Sequence, residues 1–561
     1  MVNWKSKKTG DFLLLANGLL ALVLINLLSS QFFFRLDLTE EKRYTIHAPT
    51  REMLAQLDDH VYVEVFLEGE LNAGFRRFQK AIRETLEMFR IYSHNKVQYS
   101  FTDPATALSQ KARSEFMKEL SAKGIQPTNV IDTRGGERVE KIIFPGIVIS
   151  YGGAEKGVML LKGNKAGSPE EEINQSIEGI EFEIANAIFK LTETDPKQIG
   201  LLSGHGELEG SGIASFEEAV SELYHLRKIK LEDPALSGCE VVVIAKPTLP
   251  FSELDKYRLD QYIMRGGKVL FLIDRMEAGM DSTSQAKRFA FPYDTRLDDQ
   301  LFHYGVRINP DLIQDRYSGR YPVVTGQRPD GTAQIQMIEW PYFPLINRFP
   351  DHAITRNLDM VLTRFVSSID TVKAPGIAKT PLMLTSRYSR KVAAPVNVNI
   401  NELRQNLAAE KFTESFIPVA WLLEGEFGSL YKNRFLPEGV DPGSFHEKSS
   451  ATSLIVVSDG DFARNDVNHR TGQPLPLGFD LFSNYTFANR DLLLNMISYL
   501  VDENGLIRAR NKEIKIRPLD REKVAAQKFK WQAINLGLPL VLLIVFGAIR
   551  SYRRKKRFAN F

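Results

Sequence analysis

The chain has 561 residues, and its 72 lysines and arginines nearly balance its 69 aspartates and glutamates, for a formal net charge of +3. That balance argues against a nucleic-acid surface. The single cysteine, Cys239, excludes internal disulfides, CxxC redox chemistry and thiolate zinc sites, and the length predicts more than one domain at about 150 residues each.

The first predicted element is a basic cytoplasmic tail, residues 1–11, with Lys5, Lys7 and Lys8. An uncharged apolar stretch follows from Phe12 to Phe34 and is closed by Arg35. A bilayer core needs roughly 20 apolar residues in a helix, so residues 12–34 are long enough to cross. A cleaved signal peptide has an apolar region of about 7–15 residues and a small-residue cleavage site. This stretch is longer and ends Gln31-Phe32-Phe33-Phe34, so it reads as an anchor.

A short helix is expected from Tyr44 to Leu57, beginning near Pro49. Val61, Val63, Val65 and Leu67 then alternate with Tyr62, Glu64 and Phe66, the pattern of a half-buried strand. Phe75, Phe78, Ile82, Leu86 and Phe89 recur at spacings of three and four, which makes one helical face. Val97, Tyr99 and Phe101 alternate again before Asp103-Pro104. Strand, helix, strand at this spacing is a βαβ unit, so residues 45–160 are expected to form a small α/β domain of thioredoxin-like size.

Residues 170–503 are expected to form the second domain. It opens with the helix Glu170–Leu191, which gathers Ile173, Ile177, Ile180, Ile184 and Ile188 on one side. Strand Gln198–Leu202, helix Ala214–Leu223, strand Val241–Ala245, helix Leu254–Met264 and strand Lys268–Ile273 follow. Ser252 is placed to cap the second of these helices and Gly266-Gly267 to end it. Continuous apolar strands between amphipathic helices predict a parallel, doubly wound sheet. From about 310 to 450 proline, aromatic and basic residues mix, as in Trp340-Pro341-Tyr342-Phe343-Pro344, and the segment reads as an irregular, β-containing insertion. Strand Ser453–Val457 and helix Arg490–Val501 rejoin the same sheet.

Residues 504–530 read as a charged stem. Trp531–Ile549 is a second apolar stretch, and residues 550–561 are a basic tail with Arg550, Arg553, Arg554, Lys555, Lys556 and Arg557. Positive-inside counting places both tails in the cytoplasm and the bulk of the chain outside. Arg521, Lys523, Lys528 and Lys530 weigh against that orientation, but the terminal cluster is denser. The expected location is the inner membrane, with two spans and a periplasmic bulk.

Loops that follow the strands of a doubly wound sheet gather at one edge, where ligands bind. Ser203-Gly204-His205-Gly206-Glu207, Lys246-Pro247, Asp274-Arg275 and Asp459-Gly460-Asp461 all follow predicted strands. His205, Glu207, Asp274, Asp459 and Asp461 could therefore converge as a cation site or a general acid–base cluster. The competing reading makes the glycines turn residues with positive φ and Asp or Ser helix caps. With no nucleophile nearby, the structural reading is preferred. There is no G-x-x-x-x-G-K-[ST], no G-x-S-x-G and no H-E-x-x-H. Cys239 stands at a strand start and reads as a buried structural thiol. No cofactor or metal is expected.

Arg43-Tyr44-Thr45-Ile46 with Thr50 a turn later, and the strand–helix–strand ending Phe101-Thr102-Asp103-Pro104, resemble the entry of the gliding-motility-associated GldG family. Leu202-Ser203-Gly204-His205-Gly206-Glu207, Gly266-Gly267-Lys268, and Ser458-Asp459-Gly460-Asp461-Phe462 followed by Asn489-Arg490-Asp491 are similar to the broader ABC-transport auxiliary domain. That resemblance covers nearly the whole chain. It implies an amidotransferase-like fold without the catalytic residues. It also implies partnership with a separate ABC ATPase (GldA-like) and a multi-span membrane subunit (GldF-like), and the role of substrate-binding component.

The leading expectation is thus a non-catalytic, extracytoplasmic subunit of an ABC-type complex of the inner membrane, involved in gliding motility. A membrane-anchored hydrolase or amidotransferase-like enzyme using the His205/Glu207/Asp461 edge is the alternative, and a purely structural periplasmic scaffold is the third reading.

Overall fold

The computed structural model describes residues 7–31, 45–104, 110–134, 137–163, 165, 168–193, 196–279, 289–327, 331, 333–398, 409–468, 470–502, 505 and 521–558. Residues 1–6 and 32–34, Arg43-Tyr44, most of the 504–530 stem and the last three residues, 559–561, lie outside them. Helix α1 (Lys7–Gln31) carries the first expected span, with an apolar run at Phe12–Asn26. The side chains of residues 12–26 are exposed all round, Leu14 at 79%, and this apolar run is shorter than a membrane span needs.

Helix α2 (Ala48–Ala55) starts with Pro49 in its first turn, where the missing N–H costs nothing. Strand β1 (Val61–Val65), helix α3 (Ala73–Tyr92) and strand β2 (Val97–Phe101) form the expected βαβ unit, and β1 and β2 pair in parallel. Asn72 caps α3 by accepting from the Phe75 N–H at 3.0 Å. Phe78, Ile82, Leu86 and Phe89 on its inner face are fully buried, each worth about 1.5–3 kcal/mol relative to exposure. Helix α4 (Gln110–Ala122) and the hairpin β3 (Thr128–Arg134) and β4 (Glu137–Ile143) lead to β5 (Gly146–Tyr151) and β6 (Ala154–Met159). The sheet runs β2-β1-β5-β6, with β5 antiparallel to both of its neighbours.

Helix α5 (Pro169–Thr192) begins with a capping box between Ser168 and Glu171. Its buried face, Ile173, Ile180, Ile184 and Ile188, shares one core with Val61, Val63, Phe78 and Ile147. The helix expected to open the second domain therefore packs on the first sheet. Periodicity revealed that it has an apolar face but not which surface that face covers.

The second sheet is built from β7 (Gln198–Leu202), β8 (His225–Ile229), β9 (Val241–Ala245), β10 (Lys268–Leu272), β11 (Ile377–Leu384), β12 (Pro418–Gly428) and β13 (Lys448–Val457), in the order β11-β12-β13-β10-β9-β7-β8. The five strands β8, β7, β9, β10 and β13 are parallel, whereas β12 and β11 add antiparallel at one side. The expected parallel arrangement holds for five of the seven strands. Two strands of the 310–450 segment extend the main sheet and are not part of a separate insertion.

Helices α6 (Ala214–Ser221), α7 (Glu253–Met264), α8 (Asp298–Tyr304) and α9 (Asn489–Val501) cover both faces. Val241, Val243 and Ala245 join a core with Phe216, Val220, Leu492 and Met496. The alternate residues Val242 and Ile244 join another with Leu259, Ile263, Leu301 and Tyr304. Burial on both faces is why β9 reads as an unbroken apolar run. Ser252 caps α7 through the Asp255 N–H at 3.1 Å, and Gly266, at φ +91°, ends it as expected. The rest of the 310–450 segment contains a long hairpin, Ser318–Gln327 against Ala333–Ile346, and an aromatic core around Trp340, Tyr342, Phe343 and Phe365.

Residues 513–561 are a separate unit. Its helix α10 (Arg521–Phe558) includes the apolar segment Ala526–Lys556, 31 residues, long and apolar enough to cross a membrane. It is the one such helix among the described residues.

Candidate functional site

Beside β7 the chain order of the parallel strands reverses, because β8 lies on one side of it and β9 on the other. Ligands of doubly wound sheets bind outside the carboxyl ends of strands at such a switch point. The loops after β7 and β9 meet there. The backbone N–H groups of Thr248 and Leu249 both donate to the His205 carbonyl at 2.9 Å, and the Thr248 hydroxyl donates to the Gly206 carbonyl at 3.0 Å.

Ser203 continues β7, and its N–H donates to the Ile229 carbonyl at 2.9 Å. Gly204 and Gly206 take φ values of +120° and +72°, which only glycine adopts freely. A Cβ on Gly206 would lie 2.2 Å from Thr248 Oγ1, whereas one on Gly204 would meet open space.

The turn holds His205 between two carboxylates. Its Nδ1 lies 3.4 Å from Glu207 Oε1 and its Nε2 3.5 Å from Asp255 Oδ2. The ring stacks on Phe251 with centroids 3.7 Å apart and planes 3° from parallel. Glu207 Oε2 accepts from the backbone N–H of His205 at 2.6 Å. Burial on its own lowers the affinity of His205 for a proton, but the carboxylates of Glu207 and Asp255 outweigh it and the net pKa is raised. Asp255 is held below its ordinary value. Burial pushes it up, and the Ser252 hydroxyl, His205 and Arg258 more than offset that.

A second group lies at the ends of β9, β10 and β13. Lys246 Nζ is 2.8 Å from Asp274 Oδ2 and 2.6 Å from Asp461 Oδ2, and Lys246 itself has φ +55°. Asp274 Oδ1 accepts from the Gly460 N–H at 2.5 Å. A side chain on Gly460 would press on Lys246 Cβ at 2.9 Å and Asp274 Cγ at 3.0 Å, so the close approach needs glycine. Asp459 Oδ2 accepts from the Arg364 N–H at 2.9 Å, and the Arg364 guanidinium forks onto Asp466 at 3.1 and 2.9 Å.

The three aspartates differ electrostatically. Burial comes first for Asp274, with Lys246 opposing it and Asp461 adding to it, and its pKa rises to about 6. Burial and then repulsion from Asp274 and Asp461 hold Asp459 well above its ordinary carboxylate value. Burial also pushes Asp461 upward, but Lys246 and Arg464 outweigh it and keep Asp461 ionised. Burial lowers Lys246, and its two carboxylates more than restore it.

The five expected acid–base residues thus fall into two groups: His205 with Glu207, and Asp274, Asp459 and Asp461 around Lys246. Among the described hydrogen bonds and ion pairs, none links one group to the other. Phe251, Asp255 and Arg364 complete these groups without having been expected. Lys246 was expected only as a residue of the same edge. Asp274 and Asp459 are each 1% exposed, so the aspartate group presents no open face. Among the described residues no three His, Cys, Asp or Glu side chains are placed to hold a metal ion.

A family model described as an ABC-type uncharacterized transport system matches residues 196–496, just over half of the chain. A domain of unknown function (DUF7088) matches residues 40–150. A protein of Borreliella burgdorferi (strain ATCC 35210 / DSM 4680 / CIP 102532 / B31), itself named only as uncharacterized, is 22% identical over 98% of this chain and 99% of its own length. Among solved structures, the mmIFT52 N-terminal domain is 14% identical and overlaps 54% of this chain and 97% of its own at a TM-score of 0.31, a likeness too low to bear on fold or function. With its strand-edge loops and parallel sheet inside the matched span, the chain belongs to the auxiliary family of ABC-type transport systems, the one described as an ABC-type uncharacterized transport system.

Proposed function

We propose that this protein is a non-catalytic, extracytoplasmic accessory subunit of an inner-membrane ABC-type complex involved in gliding motility. It works beside a separate ATPase (GldA-like) and a multi-span membrane subunit (GldF-like). The family match supports the ABC partnership, and the resemblance to the GldG family carries the motility assignment. The observation that carries the non-catalytic reading is the state of the carboxyl edge. Lys246, Asp274 and Asp461 engage one another, Asp459 accepts from the Arg364 backbone, and Glu207 Oε2 accepts from the His205 N–H. A general acid or base must reach the proton it moves, and groups committed in this way serve as a latch between loops.

The order β2-β1-β5-β6, with α5 returning over that sheet, supports a thioredoxin-like first domain, which we place at 45–192. Five parallel strands with helices on both faces support an amidotransferase-like second domain, residues 196–502. The apolar run of α1 and the long α10 support two anchors, with both termini cytoplasmic by the basic cluster Arg550–Arg557. The test is complementation of a motility-deficient host with His205→Ala and Glu207→Gln, each checked for folding by melting temperature. Motility retained by both supports the proposal, and a fully folded but inactive His205→Ala would overturn it in favour of the hydrolase reading.

A further inference from the structure

At the opposite edge of the second sheet, by the amino ends of β7 and β8, a cavity of about 230 Å³ opens between α5, α6 and α9. That is room for several waters or for a one-ring organic molecule. Its apolar walls are Phe182 and Phe189 of α5 with Leu223 and Tyr224 after α6, and Asn186 and Ser498 add polar atoms. Tyr224 Oη and Ser498 Oγ are 3.0 Å apart and steady one wall.

Lys190, in the last turn of α5, also lines this cavity. Among the described residues it has no hydrogen-bond or ion-pair partner. Two of the neighbouring carboxylates are engaged elsewhere: Glu183 with Lys162 at 2.8 Å, and Glu222 with Lys156 at 3.7 Å and Arg490 at 3.0 Å. Lys190 is partly exposed, and an amine at the wall of a cavity can take a charge-assisted acceptor from a molecule bound there.

We propose that this cavity binds a small organic carboxylate with an aromatic or aliphatic body, with Lys190 as its counter-charge. The ring lies against Phe182, Phe189 and Tyr224, and the carboxylate supplies the charge-assisted acceptor that Lys190 lacks. Burial, reinforced by Lys156, Lys162 and Arg490 and opposed by Glu183, holds the Lys190 amine down to about 7. An arriving anion reverses that balance and favours the ammonium. Glu193 and Asp502 at the mouth disfavour a second negative charge, which selects a monoanion. His225 and Lys197 also face the cavity. The site lies away from the carboxyl-edge loops, and the proposal does not depend on whether those loops are catalytic.

The test is calorimetric titration of the detergent-solubilised full chain with benzoate, benzyl alcohol and benzylamine. Benzoate should bind with Kd below about 1 mM, and the neutral and cationic analogues at least tenfold more weakly. Lys190→Met should weaken benzoate at least tenfold without lowering the melting temperature. In the unaltered protein, affinity should fall at least tenfold from pH 6 to pH 9, because benzoate stays ionised while the amine loses its proton. Absent benzoate binding, equal binding of benzyl alcohol, preference for benzylamine, or a flat pH profile would each overturn the proposal.

Discussion

If the aspartate group is a structural latch in which the partners of Asp461 favour its charge while the surroundings of Asp459 oppose one, two chemically identical substitutions two residues apart should have unequal effects. Asp461→Asn removes a charge that accepts from Lys246 at 2.6 Å and from Arg464 at 2.9 Å. A buried hydrogen bond to a charged group contributes about 1.5–3 kcal/mol. The Arg464 contact, with its guanidinium 45% exposed, adds no more than about 1 kcal/mol. Lys246 keeps Asp274, and Asp274 loses a repelling neighbour, so the net cost is about 2–3 kcal/mol. At about 2–4 °C per kcal/mol, and toward the lower end for a domain this large, the melting temperature should fall by roughly 5 °C. Burial and two acidic neighbours disfavour the Asp459 carboxylate, and an amide there can still accept from the Arg364 N–H, so Asp459→Asn should lower the melting temperature by less than Asp461→Asn. Scanning fluorimetry of the detergent-solubilised full chain at pH 7.5 compares them. The lowered folded pKa of Asp461 means its contribution is present above the unfolded value of about 4 and is lost as pH falls through the folded one, so the Asp461→Asn deficit should shrink below about pH 4. Asp274, raised to about 6, works in the opposite sense, and its ionisation costs stability as pH rises from about 4 to 6. An Asp459→Asn deficit as large as that of Asp461→Asn would refute the assignment of Asp461 as the member whose charge holds the latch.

The turn after β7 should discriminate between its glycines. Gly206→Ala combines an unfavourable positive φ, about 1–2 kcal/mol, with a contact of 2.2 Å to Thr248 Oγ1, so it should melt below Gly204→Ala, and adding Thr248→Ala should recover part of the loss. His205→Ala should cost more stability at pH 5.5 than at pH 8, because a raised folded pKa stabilises below the unfolded value of about 6.5 and that contribution disappears as pH rises through the folded value; a larger cost at pH 8 contradicts this. Alkaline phosphatase fused after Phe561 should be inactive and an insertion near residue 320 active, and the reverse pattern would invert the orientation.

What the sequence made legible follows from burial. Strands β9, β10 and β13 lie beneath helices on both faces and read as apolar runs, and α3 carries its core in a single stripe. Strand β8, His-Leu-Arg-Lys-Ile, is a polar edge with only Ile229 buried, and charge on an edge is how sheets avoid further pairing; such a strand has no apolar signature. Strand β12 is bounded by Pro418 and Gly428 within a segment of mixed composition, so its place in the main sheet was hidden. The carboxyl-edge aspartates were visible because they directly follow strands. Lys246 follows one too, but its ion pairs depend on two other strand ends. Arg364 reaches Asp459 across 95 residues of chain, and no local pattern announces such a contact.

The central claim is that this chain works as an accessory subunit of an ABC complex, and the direct measurement is mild purification of a tagged full-length protein from native membranes, with its partners identified by mass spectrometry. A separate ATPase carrying G-x-x-x-x-G-K-[ST] and a multi-span membrane protein, recovered together with it in fixed ratio, are the predicted result. A protein that runs alone, with neither subunit recovered in a detergent that leaves other ABC complexes intact, would contradict the account.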